Sequence, residues 1–251
     1  MDMDGSHVVI VGGGGGLGRG TAKLMAKYGA AGVAVIDVAQ ALVDPVVADL
    51  NDMGCQAAGI AGDAAFSEGA HTLFDQAVER FGRIHAMVNC AGVYPRRPIL
   101  EISDEDWDFD WKVNVRGTYN MMAAAVELMR TQPLAGQVRG RIVNIASVDA
   151  FKAHPQNAHY AATKAAVVSL TRSFALEFAP DQILVNAIAP GGIATEKAKG
   201  SGFLAELAAH TPLARNAQPD EIASWIAFML GDANSYMTGE TVIVSGGYIF
   251  A

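Results

Sequence analysis

Between a β-branched run, His7-Val-Val-Ile-Val11, and a helical stretch, Thr21–Tyr28, the chain inserts Gly12-Gly-Gly-Gly-Gly16-Leu17-Gly18-Arg-Gly20. A strand that passes almost directly into a helix leaves little room for side chains at the turn. Residues without Cβ let the backbone cross closely there and adopt positive φ. The same turn aims backbone N–H groups and the positive end of a helix at one point, which is what a pyrophosphate requires. A flexible loop is the ordinary reading of a glycine run. The strand and helix that close on it from both sides favour a cofactor turn instead.

The rest of the chain repeats the order of strand then helix. Runs at Val8–Val11, Val33–Asp37, Ala57–Ala61, Ile84–Asn89, Arg141–Ala146, Ile183–Ala187 and Thr241–Val244 alternate with helical patterns. They predict an α/β fold: a doubly wound, seven-stranded parallel sheet with helices on both faces, the Rossmann arrangement. Gly29 and Gly54 close the first two helical stretches, Phe66–Phe81 ends at Gly82, and Pro219-Asp-Glu221 opens the last. No linker or repeat divides the chain, so 1–251 is expected to be one cofactor-binding and catalytic domain. The stretch 191–212 is long for a connection in such a fold and reads as a substrate loop.

Composition narrows the partners. Hydrophobic residues make up 51% of the chain and charged residues 18%, enough for a large core. A net charge of -8 offers no basic footprint for nucleic acid or an anionic membrane. No apolar run approaches the ~20 residues of a membrane span. The start, MDMDGSH, lacks the features of a signal peptide. Cys55 and Cys90 are the only cysteines, which fits a cytoplasmic location, and the 6 histidines form no metal-spaced cluster.

Asp37 ends the second strand, about 20 residues beyond the turn, where an acid accepts hydrogen bonds from an adenosine ribose and repels a 2′-phosphate. Val38 and Gly15 leave the nearby positions for a phosphate-binding cation empty, although Arg19 and Lys23 are close in sequence. The cofactor expected is NAD. An acid at a strand end also commonly caps a helix, and Asp63 after the third strand either caps the helix from Phe66 or meets the adenine.

Tyr160-Ala-Ala-Thr-Lys164 falls within the helical stretch Asn157–Ala179. The i, i+4 spacing puts phenol and ammonium on one face. A nearby cation favours the phenolate, so Tyr160 could exchange a proton with an alcohol or carbonyl oxygen. Alone, such a pair is commonly a surface pair. Ser147 at the end of the fifth strand supplies company, because ligands of doubly wound sheets bind at the carboxyl edge. Asn114, polar in a helix that otherwise reads as buried, satisfies backbone groups or holds a water near Lys164.

These residues resemble the short-chain dehydrogenase/reductase family, of the single-domain type, over essentially the whole chain. The matching pieces are Gly12-x-x-x-Gly16-x-Gly18, Asp37, Asp63, Asn89-Cys-Ala-Gly92, Asn114, Ser147, Tyr160-x-x-x-Lys164 and Pro190-Gly-Gly-Ile193-Ala-Thr195. The resemblance implies a catalytic tetrad of Asn114, Ser147, Tyr160 and Lys164, with Lys164 also holding the nicotinamide ribose and Ile193 and Thr195 meeting the carboxamide. The implied cofactor set is Gly12, Gly16, Leu17, Gly18, Asp37, Asp63, Ala64, Asn89, Ala91, Gly92, Tyr160, Lys164, Pro190, Gly191, Ile193 and Thr195. It also implies a homo-oligomer, a tetramer or dimer, built on the helices containing Asn114 and Tyr160. Val11 and Cys90 depart from the family's usual Thr and Asn, and Ser245 stands where an Asp is frequent; none of these removes a catalytic group.

Tyr94, Asp149, His154, Gly192, Phe203, Leu204 and Leu207 are the candidates for the substrate side. The mix is mainly apolar and points to a neutral secondary alcohol and its ketone, with an aryl or alicyclic group. Asp149, Lys152, Lys197 and Lys199 leave room for a polar or carrier-linked substrate, so a 3-oxoacyl-thioester reductase is the alternative. A non-catalytic nucleotide-binding scaffold is the alternative of another class. His159 reads as a surface or packing residue, and Trp107 and Trp111 as core or subunit-contact residues after a helix start at Ser103.

Overall fold

The computed structural model describes residues 3–134, 136–199 and 202–250. Seven parallel strands run β1 (His7–Val11), β2 (Gly32–Asp37), β3 (Gln56–Ala61), β4 (Ala86–Asn89), β5 (Gly140–Ile145), β6 (Ile183–Pro190) and β7 (Thr241–Val244). Their spatial order is β3-β2-β1-β4-β5-β6-β7. This is the expected doubly wound sheet, and its order reverses between β1 and β4, where such sheets open a ligand crevice.

The strands read as nearly continuous apolar runs because both faces are covered. In β1, Val8 and Ile10 join a core with Val33, Val35, Ile222 and Ile226. Val9 and Val11 face the opposite way, into a core with Ile36, Leu73, Met121 and Ile142. The first core packs against α1 (Gly16–Lys27) and α8 (Pro219–Leu230), and the second lies under α3 (Ser67–Phe81), α5 (Thr118–Thr131) and α6 (Ala158–Phe178). The helices α2 (Gln40–Asp52), α4 (Asp104–Asp110) and α7 (Gly202–His210) complete the set.

Element boundaries depart from the pattern where local chemistry permits it. Helix α1 starts at Gly16, inside the glycine run, because the first turn of a helix has unpaired N–H groups whatever residue stands there. Strand β4 begins at Ala86, two residues after Ile84. Strand β6 extends to Pro190, where proline costs no ladder bond at the last pair, with Val244. The helix after Trp107 carries a π-turn over Trp111–Gly117, and the 191–212 connection folds partly as α7, while Gly200 and Ser201 lie outside the described residues. Ser103 caps α4 by accepting from Asp106 N at 3.1 Å, as its position before three acids predicts.

Candidate active site

The glycines of the first turn divide into two groups. A Cβ on Gly12 would lie 2.5 Å from Ala91 N, and one on Gly18 only 2.1 Å from Gly12 O. Gly13 and Gly14 are similarly closed, by Val35 Cγ1 at 2.8 Å and Leu42 Cβ at 2.7 Å. Gly12 and Gly18 let β1, α1 and the loop after β4 pack together, and Gly13 and Gly14 let the turn lie against β2 and α2. Gly15 has nothing within 4 Å, and Gly16, at φ +51, faces the Thr195 side chain, its methyl at 3.4 Å. No side chain caps the N-terminus of α1 at Gly15. The approach to an anion is therefore open at Gly15 and Gly16 rather than along the whole run.

Asp37 braces that turn. Its Oδ2 accepts from Gly14 N at 3.0 Å and its Oδ1 from Val38 N at 2.8 Å, whereas α2 has no side-chain cap. Arg19 and Lys23 both reach the Asp49 carboxylate, at 2.5 and 2.9 Å. Asp63 does not cap α3; it accepts from Ala65 N at 2.9 Å and pairs with Lys112 at 3.3 Å, which leaves Ala64 inside the bend. Asn89 donates to Thr118 Oγ1 at 2.8 Å. Cys90 N donates to Val11 O at 2.8 Å, so the backbone ties β1 to the next loop at the two positions that depart from the family pattern. Burial pushes the Cys90 thiol up to about 12.

Four polar groups meet where β4, β5 and α6 converge. Asn114, in the π-turn, is fully buried; its amide donates to Val93 O at 2.9 Å and Thr163 Oγ1 at 3.0 Å, and its Oδ1 accepts from Val93 N at 2.9 Å. Its backbone carbonyl takes Thr118 Oγ1 at 2.7 Å. Lys164, also buried, donates to Ile145 O at 2.8 Å, and its Nζ lies 5.7 Å from the centre of the Tyr160 ring. A Cβ on Gly92 would sit 3.3 Å from Asn114 Oδ1 and 3.4 Å from Lys164 Nζ, so both groups crowd one point beside that glycine. Ser147 Oγ accepts from Asp149 N at 3.1 Å, and its hydroxyl lies near enough to the Tyr160 phenol to favour its ionisation.

Burial, reinforced by the Asp149 carboxylate, holds the phenol of Tyr160 well above its ordinary value, while the nearby Ser147 hydroxyl works in the opposite direction. Burial likewise brings the Lys164 ammonium down to about 8, against the pull of Cys90 and Asp110. A phenol held protonated next to a serine hydroxyl and a buried ammonium is suited to exchanging one proton with an oxygen placed between them.

The comparisons with known proteins agree with this geometry. Residues 12–249 match the family model described as enoyl-(acyl carrier protein) reductase. A short-chain reductase, NovJ of Streptomyces niveus, is 36% identical, over 96% of this chain and 93% of its own. The chain is a short-chain dehydrogenase/reductase. Other relatives are the cis-4-hydroxycyclohexanecarboxylate dehydrogenase of Sinomonas cyclohexanicum, 34% identical over 96% of this chain and 95% of that protein, and the 3-oxoacyl-[acyl-carrier-protein] reductase FabG of Thermotoga maritima, 31% identical over 99% and 100%. The crystal structure of a short-chain type dehydrogenase/reductase from Mycobacterium marinum superposes with a TM-score of 0.92 at 31% identity, covering 98% of this chain and 96% of that one. The family is one of oxidoreductases that bind a nicotinamide cofactor.

In this short-chain dehydrogenase/reductase the residues expected on the substrate side separate. Tyr94 is exposed, with Lys197 Nζ 5.3 Å from its ring centre, and Phe203 on α7 lies under the Arg96 guanidinium at 4.1 Å. Leu204 offers its carbonyl to Asn216 Nδ2 at 2.8 Å. Leu207 is buried, and a Cβ on Gly192 would strike Asn216 Oδ1 at 2.1 Å, so both serve the packing of α7. Gly191 N donates to Val244 O at 3.1 Å after Pro190; Thr195 N donates to Ile193 O at 2.9 Å, and Ile193 bridges to Ala217. Leu17 is buried at the start of α1. Asp149 and His154 bond each other, and His154 also bonds Tyr248. The sequence reading missed Tyr248 as a site residue, and no local signal links positions so far apart in the chain. Arg96 was missed too, although the run Tyr94-Pro-Arg-Arg97 after a site loop was a signal.

His159 is buried outright rather than on the surface. It faces Asp110 at 3.6 Å, with both side chains fully shielded, one helical turn from the Asn114–Thr163 contact. Burial pushes the Asp110 carboxyl from 3.8 up to about 6; His159 and Lys164 pull it back, and Asp106 pushes it further. A raised carboxyl makes the folded chain bind the proton more tightly than the unfolded one. Its contribution to stability is present at low pH and is lost as pH rises through about 6. The difference in Tm between Asp110→Asn and the parent should therefore move in favour of the variant from pH 5 to pH 7.5, and a difference independent of pH would contradict this.

Proposed function

We propose that this protein is an NAD(H)-dependent oxidoreductase that interconverts a secondary alcohol and its ketone, with Tyr160 as the acid–base group. The observation that carries the reading is the convergence of the Ser147 hydroxyl, the Tyr160 phenol and the Lys164 ammonium at the carboxyl edge of the sheet. In alcohol oxidation Tyr160, ionised, takes the hydroxyl proton; in ketone reduction it returns one to the carbonyl oxygen. Ser147 holds that oxygen with its O–H. Lys164, anchored on Ile145 O, supplies the positive charge that makes the phenolate accessible. Asn114 fixes the loop after β4 through its paired bonds to Val93. A nicotinamide held at this edge would supply the hydride acceptor or donor.

The residues present fit a dinucleotide. The open face at Gly15 and Gly16, on a helix end without a side-chain cap, suits a pyrophosphate. Asp37 beside it suits ribose hydroxyls and opposes a 2′-phosphate, and the two cations nearest in sequence, Arg19 and Lys23, are engaged by Asp49. These features support NAD over NADP. Because Asp37 also braces the turn, Asp37→Asn removes charge while keeping an acceptor for a backbone N–H. The ratio of kcat/KM for NAD over NADP should fall roughly tenfold or more, about 1.4 kcal/mol or more of discrimination. An unchanged ratio would leave Asp37 as a brace alone.

For the substrate, the apolar rings of Tyr94 and Phe203 favour an alicyclic or aryl alcohol, and the Sinomonas cyclohexanicum relative is named for an alicyclic one. Initial rates with NAD and NADP against aryl, alicyclic, sterol and 3-hydroxyacyl alcohols test both halves of the reading. Lys152 and Lys197, which pair with no carboxylate among the described residues, favour the 3-oxoacyl-thioester reductase as the second reading; turnover confined to 3-hydroxyacyl substrates with NADP would select it. We further read 1–251 as one catalytic unit. Its two cysteines are free thiols, in keeping with a cytoplasmic enzyme. The exposed Trp107 and Phe109 on α4 and Leu176 on α6 are in keeping with a homo-oligomer, which sedimentation would measure. No helix among the described residues is long and apolar enough to cross a membrane.

A further inference from the structure

We propose that Asp149, together with His154 and Tyr248, positions the reacting phenol by joining the Ser147 turn to the N-terminus of α6 and fastening the segment after β7 beside the site. The proposal rests on Tyr160 being the acid–base group. Asp149 makes three connections. Its backbone N–H donates to Ser147 Oγ at 3.1 Å. Its Oδ2 accepts from Asn157 Nδ2 at 2.5 Å, and Asn157 is the residue immediately before α6, three positions ahead of Tyr160. Its Oδ1 takes His154 Nδ1, whose ring reaches the Tyr248 hydroxyl with Nε2 and stacks on the Tyr248 ring at 5.4 Å between centres. Lys152 Nζ lies 3.9 Å from the centre of that ring.

The chemistry of the chain is determined at one end. A carboxylate only accepts, so His154 Nδ1 carries the proton shared with Asp149. Nε2 then accepts from the Tyr248 hydroxyl in the neutral ring and donates to it in the imidazolium. Asp149 and His154 side chains are only 9% and 11% exposed, so the bonds are shielded from water. They join the turn after β5 to the start of α6, eight residues on, and to the residues after β7, from a distant part of the chain.

Charge argues that this carboxylate is there for its geometry. Of the groups facing the Tyr160 phenol, Asp149, Tyr94 and Asp110 oppose its ionisation and the Ser147 hydroxyl favours it, with the Lys164 ammonium 5.7 Å from the ring centre. A negative charge in this place works against a base that must become an anion. What Asp149 contributes is the alignment of Ser147 with Tyr160.

The two roles separate in Asp149→Asn, which removes the charge and one of the two acceptors. Alcohol oxidation by this variant should show its rising alkaline limb moved to lower pH by roughly 0.5–1 unit, together with a kcat about tenfold or more below the parent, one factor of ten being 1.36 kcal/mol of barrier. Tyr248→Phe, which deletes only a hydroxyl, should lower kcat without moving the limb. His154→Asn, which can keep a donor near the Nδ1 position, should retain more kcat than His154→Leu. NADH fluorescence should be unchanged in all four. Parent-like kcat and pH limb in Asp149→Asn and Tyr248→Phe would overturn the proposal. Equal losses in both His154 variants that track a fall in Tm would overturn it as well, by showing a purely structural knot. Tyr160→Phe, assayed in parallel, distinguishes these failures from a failure of the acid–base reading, because that reading fails only if Tyr160→Phe stays active.

Discussion

Tyr160→Phe is expected to lower kcat for alcohol oxidation by roughly 10²–10⁴-fold, the usual contribution of a positioned acid–base group, while NADH binds as in the parent. The ring keeps its volume, so the helix face is not disturbed. The cation also stays in place, since Lys164 is anchored on Ile145 O rather than on the phenol. What disappears is the hydroxyl next to Ser147 that is proposed to carry the proton. Steady-state rates and an NADH fluorescence titration on the same preparation separate the two effects. A variant that turns over at near the parent rate would remove Tyr160 from the chemistry, and one that also loses NADH binding would show the phenol to be part of the cofactor site.

Gly18→Ala should damage the fold itself. The new Cβ would meet Gly12 O at 2.1 Å and Gly13 Cα at 2.9 Å, and these are backbone atoms with no flexible end to move aside. Forced overpacking of this kind costs about 1–3 kcal/mol or more, and relieving it would pull apart β1 and α1, the two elements that aim the turn. Loss of unfolding free energy and loss of NADH binding are expected together. Gly15→Ala is the matching control, because Gly15 has extended backbone and nothing within 4 Å of its Cβ. Its stability should stay within about 0.5 kcal/mol of the parent. If urea denaturation shows the two variants to be equally stable, the close approach of Gly18 to Gly12 does not exist in solution.

The pairing of Asp110 with His159 places a titratable carboxyl close enough to Lys164 to favour the ammonium, although it belongs to a different helix. Lys164 is held down to about 8, so loss of the Asp110 charge lowers it further, toward the pH at which the enzyme would be assayed.

Much of this protein is local in origin and so is visible in one dimension. Apolar strands buried on both faces, helices punctuated by Gly29, Gly54, Gly82 and Pro219, the crowded turn at Gly12–Gly18 and the Tyr160–Lys164 spacing all arise from contacts among near neighbours, and periodicity records them. The same holds for Ser147, whose place just past the end of β5 follows from where the apolar run stops. Other features depend on which distant segment packs opposite, and no pattern in the chain encodes that. Asp37 holds the glycine turn rather than a helix, Asp49 gathers Arg19 and Lys23, and Asn216 closes over Gly192. His159 and Asp110 face each other across the α4–α6 contact, and His154 meets Tyr248 because the segment after β7 reaches the turn after β5. Sequence periodicity specifies which face of an element is buried; the partner of a polar group on that face is chosen only when the layers close around it.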